Sequence, residues 1–185
     1  MYIKFVEIAN FRKLLSVRVD LSETTTLFVG ANNSGKTSAM VALRKFLTPH
    51  GRPFETYDFT LCHWAAINKI GQNWLDARGL QSAVTFDITE WARLVPTLDL
   101  WFHVETSELH YVRNIIPTLD WAGGLLGVRL RFEPKELTSL YKDFLKAIDE
   151  AQAIRSAAET PDQKGTPQQQ VQKLTVWRQL KIPDR

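Results

Sequence analysis

The sequence predicts an α/β fold with a mixed sheet and flanking helices, and three observations carry the prediction. Apolar residues alternate with period two over 15–21; they recur at three- and four-residue spacing over 36–47 and again from Leu137 to Ile148; and a glycine-rich turn, Gly30 to Thr37, joins a β-branched run to the first of those helices. The 185 residues are 44% apolar and 23% charged, which is ordinary globular usage, with room for one domain and at most a small appendage. Disordered, collagen-like and low-complexity classes are thereby excluded for most of the chain.

The elements follow in order. Ile3, Phe5, Val6 and Ile8 form a β-rich opening segment. Leu15, Val17, Val19 and Leu21 alternate with Ser16, Arg18, Asp20 and Ser22, as a half-buried antiparallel strand does. Thr24 to Val29 reads as a third strand, and its uninterrupted Leu27-Phe28-Val29 suggests burial on both faces. From Lys36 to Leu47 the residues Met40, Leu43, Phe46 and Leu47 form the stripe of an amphipathic helix, stopped by Pro49 and Gly51. Residues 48–61 read as a surface loop, 62–76 as a second helix broken at Gly79, and Ser82–Thr89 and Leu98–Val104 as strands. Gly127–Glu133 is a further strand, after which Pro134 stands at the first position of a long helix striped by Leu137, Leu140, Tyr141, Phe144, Leu145 and Ile148. Residues 1–158 therefore form one lobe, 159–170 a polar linker with two prolines and a glycine, and 171–185 a tail.

The single cysteine, Cys62, cannot form an intramolecular disulfide and has no partner at metal-ligand spacing. The chain reads as reduced and cytoplasmic. Its charged N-terminus fits neither a signal peptide nor an anchor, and no window reaches the roughly 18 uncharged apolar residues of a spanning helix. A net charge of +3 permits contact with nucleic acid without demanding it.

Gly30-Ala31-Asn32-Asn33-Ser34-Gly35-Lys36-Thr37 fits G-x-x-x-x-G-K-[ST], the phosphate loop of nucleotide-binding proteins, and it stands before a helix as that chemistry requires. The glycines let successive amides turn inward, and the helix adds the positive end of its dipole. In this geometry Lys36 reaches the β- and γ-phosphates of ATP, and Thr37 is a ligand for Mg²⁺. Small-molecule kinases and GTPases usually begin with the strand before this loop, whereas here two strands precede it. A GTPase also needs Asn-Lys-x-Asp, and Asn68-Lys69-Ile70-Gly71 carries glycine in place of the aspartate.

Ile8-Ala9-Asn10-Phe11-Arg12, the alternating Val17–Leu21 and Leu27 to Ser38 together resemble the N-terminal lobe of the ABC-type ATPase heads of SMC, RecF and OLD proteins. Within this group of AAA family ATPases the chain is most similar to bacterial OLD-family ATP-dependent endonucleases, and Gly123–Leu130 and Phe132–Lys135 fit that likeness more loosely. The resemblance implies a P-loop NTPase whose ATP and Mg²⁺ are held by Arg12, Gly30, Asn33, Ser34, Gly35, Lys36, Thr37 and Ser38, with Thr37 on the metal. It also implies a homodimer of heads bridged by nucleotide, and ATP hydrolysis coupled to DNA binding or cleavage in repair or phage defence. The bland reading of Arg12 is a surface turn residue between two strands.

Such heads also need an apolar strand ending in Asp-Glu and a Ser-Gly-Gly-type signature, and neither is present. Asp87 after Ala83-Val84-Thr85-Phe86 reads as a solvated strand residue, and Ala122-Gly123-Gly124 as a turn. The expectation is a chain that holds the phosphate-binding lobe and ends before the catalytic half, so it binds nucleotide and turns it over poorly. The alternative is a truncated, nucleotide-dependent interaction module for another ATPase or nuclease subunit; a self-contained kinase is disfavoured by the two leading strands. His50, His63, His103 and His110 lack metal-pair spacing. The six tryptophans read as core packing, and Arg129 with Arg131 as a solvated strand face.

Overall fold

The computed structural model describes residues 1–48, 53–80 and 86–158. In chain order the elements are β1 (Tyr2–Phe11), β2 (Leu14–Asp20), α1 (Lys36–Leu47), α2 (Trp64–Gly79), α3 (Ile88–Ala92), β3 (Thr97–Val104), α4 (Leu109–Val112), β4 (Gly124–Arg131) and α5 (Leu137–Ala158). Contacts divide the chain into two compact units, Met1–Arg52 with Val95–Phe132 and Pro53–Leu94 with Glu133–Arg185. The expected linker at 159–170, the tail at 171–185 and the first part of the strand expected at Ser82–Thr89 lie outside the described residues.

The first unit is built on a four-stranded sheet of order β2-β1-β3-β4. Every neighbouring pair is antiparallel, so the mixed sheet expected from the sequence is not what the described residues form. The difference lies at Thr24–Val29, which pairs with none of these strands and leaves Leu27 and Val29 each 81% exposed. Strand propensity spans only about 1 kcal/mol, and it is the ladder and the burial that it brings that stabilise a strand. An apolar run with no neighbouring strand to bond remains extended chain.

Period two sorts the sheet residues into two faces. Val6 and Ile8 of β1, Leu98 and Leu100 of β3 and Leu126 of β4 are buried, and α1 lies against β1 and β3 with Ala39 and Ala42 buried. The stripe expected for α1 is met in part: Leu43 and Phe46 are half-buried, Met40 is 52% and Leu47 43% exposed, and the small residues Ala39 and Ala42 are the buried ones. Alanines let helix and sheet approach closely, and a pattern judged by large side chains points one residue away from the true inner face. The opposite sheet face carries a cross-strand row, Arg18, Glu7, Asp99 and Arg129. Arg129 makes two hydrogen bonds to Asp99, at 2.7 and 2.6 Å, and Trp101 Nε1 donates to Glu7 at 2.9 Å. Trp101 stacks on Phe5, and the Arg18 guanidinium lies 3.7 Å from the centre of the Phe5 ring. Beyond β3, Val104, Val112 and Leu126 form a small apolar cluster with Phe102, Ile116 and Trp121.

The second unit packs α2 and α5 around an aromatic cluster. Trp74 meets Tyr141 and Phe144 edge-on at 5.6 Å and lies 6.1 Å from Trp91. The expected stripe of α5 is the one that turns inward, with Phe144 at 3% exposure at its centre. Arg78 of α2 forks onto Asp149 of α5 at 2.8 and 3.2 Å, which raises the guanidinium pKa through hydrogen bonding and the carboxylate charge. Three sequence expectations shift here. Pro134 lies three residues before α5, whose first turn is closed by the Leu140 N–H donating to Glu136. Asp87 belongs to no strand: it caps α3, accepting from the Thr89 amide at 2.7 Å and from the Thr89 hydroxyl. The stretch 53–60 is not all surface, since Asp58, Phe59 and Thr60 are buried around a 3-10 turn at Thr56–Asp58, where the Glu55 N–H donates to Asp58.

Candidate functional site: the phosphate loop and the hairpin beside it

The site begins in the β1–β2 hairpin. Asn10 takes a left-handed φ of 57°, which asparagine tolerates, and its Nδ2 donates to the Val95 carbonyl at 3.2 Å. Phe11, fully buried, anchors the strand end. The chain then reverses at Arg12 and Lys13, with Phe11 opposite Leu14, and Arg12 holds φ 52° with its guanidinium 5.3 Å from the centre of the Phe11 ring. In the Asn-Phe-Arg element, then, asparagine sets the backbone, phenylalanine fills the core and arginine occupies the turn.

The hairpin tip meets the glycine-rich loop at two points. Lys13 Nζ donates to Asn33 Oδ1, and buried Leu14 fits against Gly35, where an added Cβ would come within 2.9 Å of Leu14 Cδ2. Gly35 also has φ 96° and Asn33 φ 69°, so the loop passes through two left-handed residues, one of which has no room for a side chain. Inside the loop Ser34 N–H donates to Ala31 O at 3.3 Å. Lys36 Nζ lies across it, donating to the Gly30 carbonyl at 2.5 Å, the Ala31 carbonyl at 2.6 Å and Ser34 Oγ at 3.3 Å. Gly30 leaves this crossing open, because a Cβ there would sit 3.3 Å from Ser34 Oγ and 3.9 Å from the ammonium.

The loop runs straight into α1. Gly35 is the N-cap residue, offers no side chain to the first turn, and that turn contains no acid. The first intrahelical acceptor is used only at Ala39, whose N–H donates to Gly35 O at 2.9 Å, so the amides of Lys36, Thr37 and Ser38 have no partner within the helix. Amides at a helix N-terminus, a primary ammonium and an exposed threonine hydroxyl make a donor set that suits a polyphosphate, with one oxygen for a hard divalent cation.

The structure thus brings Gly30, Asn33, Ser34, Gly35, Lys36, Thr37 and Ser38 together at one loop and helix end, and it places Arg12 in the adjacent hairpin turn. Lys13 and Leu14 are the residues that sequence reading missed. A basic pair at a two-residue reversal hints at Lys13; nothing in the pattern marks Leu14, whose role depends on where a distant glycine falls.

The other constellations resolve into packing. Arg129 is held by Asp99, and Trp74 and Trp91 are core. Gly123 bends into β4 with φ 111°, where an added Cβ would come within 2.9 Å of the Val104 carbonyl oxygen. His110 Nδ1 lies 3.1 Å from the Ser107 carbonyl, and His103 sits beside the Tyr2 ring. Among the described residues no group of three His, Cys, Asp or Glu could hold a metal ion, and no helix is long and apolar enough to cross a membrane.

An α/β domain with a glycine-rich phosphate loop at the head of a helix is the architecture of a nucleotide-binding ATPase domain. The model of the AAA ATPase domain family matches residues 1–150, and the chain belongs to that family. No curated protein matches the chain.

Proposed function

We propose that Gly30–Ser38 binds ATP with Mg²⁺, and that the chain is the nucleotide-binding lobe of an ABC-type ATPase head of the OLD kind. The observation that carries the first part is the uncapped N-terminus of α1, with Lys36 laid across a loop that enters the helix through Gly35 at φ 96° against Leu14. Lys36 exchanges the Gly30 and Ala31 carbonyls for phosphate oxygens, so its ammonium meets an anion in place of two neutral acceptors. The amides of Lys36, Thr37 and Ser38 supply fixed donors that need no reorganisation, and Ser34 contributes a hydroxyl at the loop mouth. The Thr37 hydroxyl would be the protein ligand of Mg²⁺, which would supply positive charge against the phosphates. Arg12 adds a cation from the hairpin side.

The OLD-type reading is supported by Asn10-Phe11-Arg12 upstream and by the Asn33-Ser34-Gly35-Lys36-Thr37-Ser38 form of the loop. It carries with it a nucleotide-bridged homodimer, DNA engagement in repair or phage defence, and a cytoplasmic location. Sedimentation of the chain with and without ATP reads dimerisation, and ATP turnover with and without duplex DNA reads the coupling; a monomer under both conditions would reject the bridged dimer. The competing reading, an interaction module without turnover, draws on the lack of an Asp-Glu strand.

The direct test of the nucleotide site is calorimetric titration of ATP·Mg²⁺ into the chain and its Lys36→Ala variant. Binding to the parent that is lost in the variant, with circular dichroism unchanged, is the expected result. Equal affinity in the two proteins would overturn the assignment.

A further inference from the structure

The loop is not held by its own sequence alone. Its left-handed residues Asn33 and Gly35 each carry a contact from the β1–β2 hairpin: Lys13 Nζ donates to Asn33 Oδ1, and Leu14 packs against Gly35. The hairpin is itself anchored in the first unit by buried Phe11 and by the bond from Asn10 to Val95. Asn33 is exposed and its φ of 69° is one of several conformations open to an asparagine, so a partner for its side chain selects that one. Lys13 provides that partner. Lys36 cannot serve as well, because its three donors go to Gly30, Ala31 and Ser34.

We propose that Lys13 is a positioning residue of the nucleotide site: by bonding Asn33 it clamps the hairpin tip to the phosphate loop and holds the loop in the form that receives the phosphates. The proposal rests on the reading of Gly30–Thr37 as that loop. It makes nucleotide affinity depend on a side chain outside the loop motif, and it lets any force on the hairpin be felt at the phosphates. A charged hydrogen bond that preorganises a loop corresponds to an effect of about tenfold in affinity.

The test is a double-mutant cycle on the full chain with ATP·Mg²⁺ as probe, read by calorimetry, using Lys13→Met, Asn33→Gly, the double variant, Lys13→Arg and Lys36→Ala. Lys13→Met is expected to weaken ATP about tenfold, Lys13→Arg to restore most of it, and Lys13→Met to cost little more once Asn33→Gly has removed the acceptor. Amide exchange of residues 30–35, measured without nucleotide, is expected to quicken in Lys13→Met while exchange in β3 and β4 of the same unit stays unchanged, which separates loosening of the loop from unfolding of the unit. An unchanged affinity in Lys13→Met overturns the proposal. So does a tenfold loss that persists in the Asn33→Gly background, because it would mean that Lys13 touches phosphate directly. If the parent chain and Lys36→Ala bind ATP alike, the nucleotide reading fails first, a pattern distinct from either of these.

Discussion

At Gly35 two demands meet in one residue: a φ of 96° and a Leu14 methyl where a side chain would stand. Either alone makes alanine unwelcome, since strained backbone of this kind costs about 1–3 kcal/mol, and Leu14 would have to leave a buried seat. Gly35→Ala is therefore expected to lower stability by about that amount in urea titration and to weaken ATP as well, because the displaced loop carries the first amides of α1. A second residue-scale prediction concerns acid. The Asp87 carboxyl lies below its ordinary pKa of 3.8, chiefly because the Thr89 hydroxyl and then the Thr89 amide donate to its charged form. A depressed folded pKa means that the cap's stabilisation is present above the unfolded value and is lost as pH falls through the lower, folded one. Asp87→Asn should thus lower the urea midpoint in the neutral range, where the charged cap contributes, and flatten its fall on the acid side of 3.8. An acid limb identical to the parent's would show that the cap is not what titrates. At this scale most of the candidate site was legible, because the spacing of glycine, lysine and threonine is itself the chemistry. Leu14 and Lys13 were not, since their meaning arises only when a hairpin folds back onto a loop some twenty residues further along the chain.

Elements were legible where their pattern could be satisfied locally. β1, β2 and the inward stripe of α5 follow from alternation and helical spacing. α1 is helical as its sequence predicts, yet Ala39 and Ala42 rather than Met40 and Leu47 face the sheet. Ala42, with no exposure at all, has no space to grow, so Ala42→Leu is expected to cost about 1–3 kcal/mol by overpacking, read as a lower melting temperature. Because α1 begins at the phosphate loop, the same variant should weaken ATP; unchanged stability would mean that the close approach of α1 to β1 and β3 is not needed. Thr24–Val29 shows the converse. Its composition asks for a strand, and the described residues provide no neighbour to complete one.

Over the whole chain, the two units interleave in sequence: the first takes its sheet from Met1–Arg52 and Val95–Phe132, and the second its helices from Pro53–Leu94 and Glu133–Arg185. β1 has one neighbour close in sequence, β2, and one distant, β3, and so the strand that leads to the site depends on residues some ninety positions away for half of its ladder. The catalytic expectation belongs to this scale. The sequence supplies the phosphate loop without an apolar strand ending in Asp-Glu, so the purified chain is expected to bind ATP and hydrolyse it only slowly. Steady-state phosphate release that is fast and abolished by Lys36→Ala would refute that limit and direct attention to another acid.

The sequence by itself determined the α/β class and the G-x-x-x-x-G-K-T turn at the head of α1, because local periodicity and that spacing are short-range. Only the tertiary structure decided that the sheet is antiparallel, that Ala39 and Ala42 are the buried residues of α1, and that Lys13 and Leu14 touch the loop. Each of those depends on which distant residues come to lie side by side, and pairing and burial across the fold outweigh the propensity of any one segment.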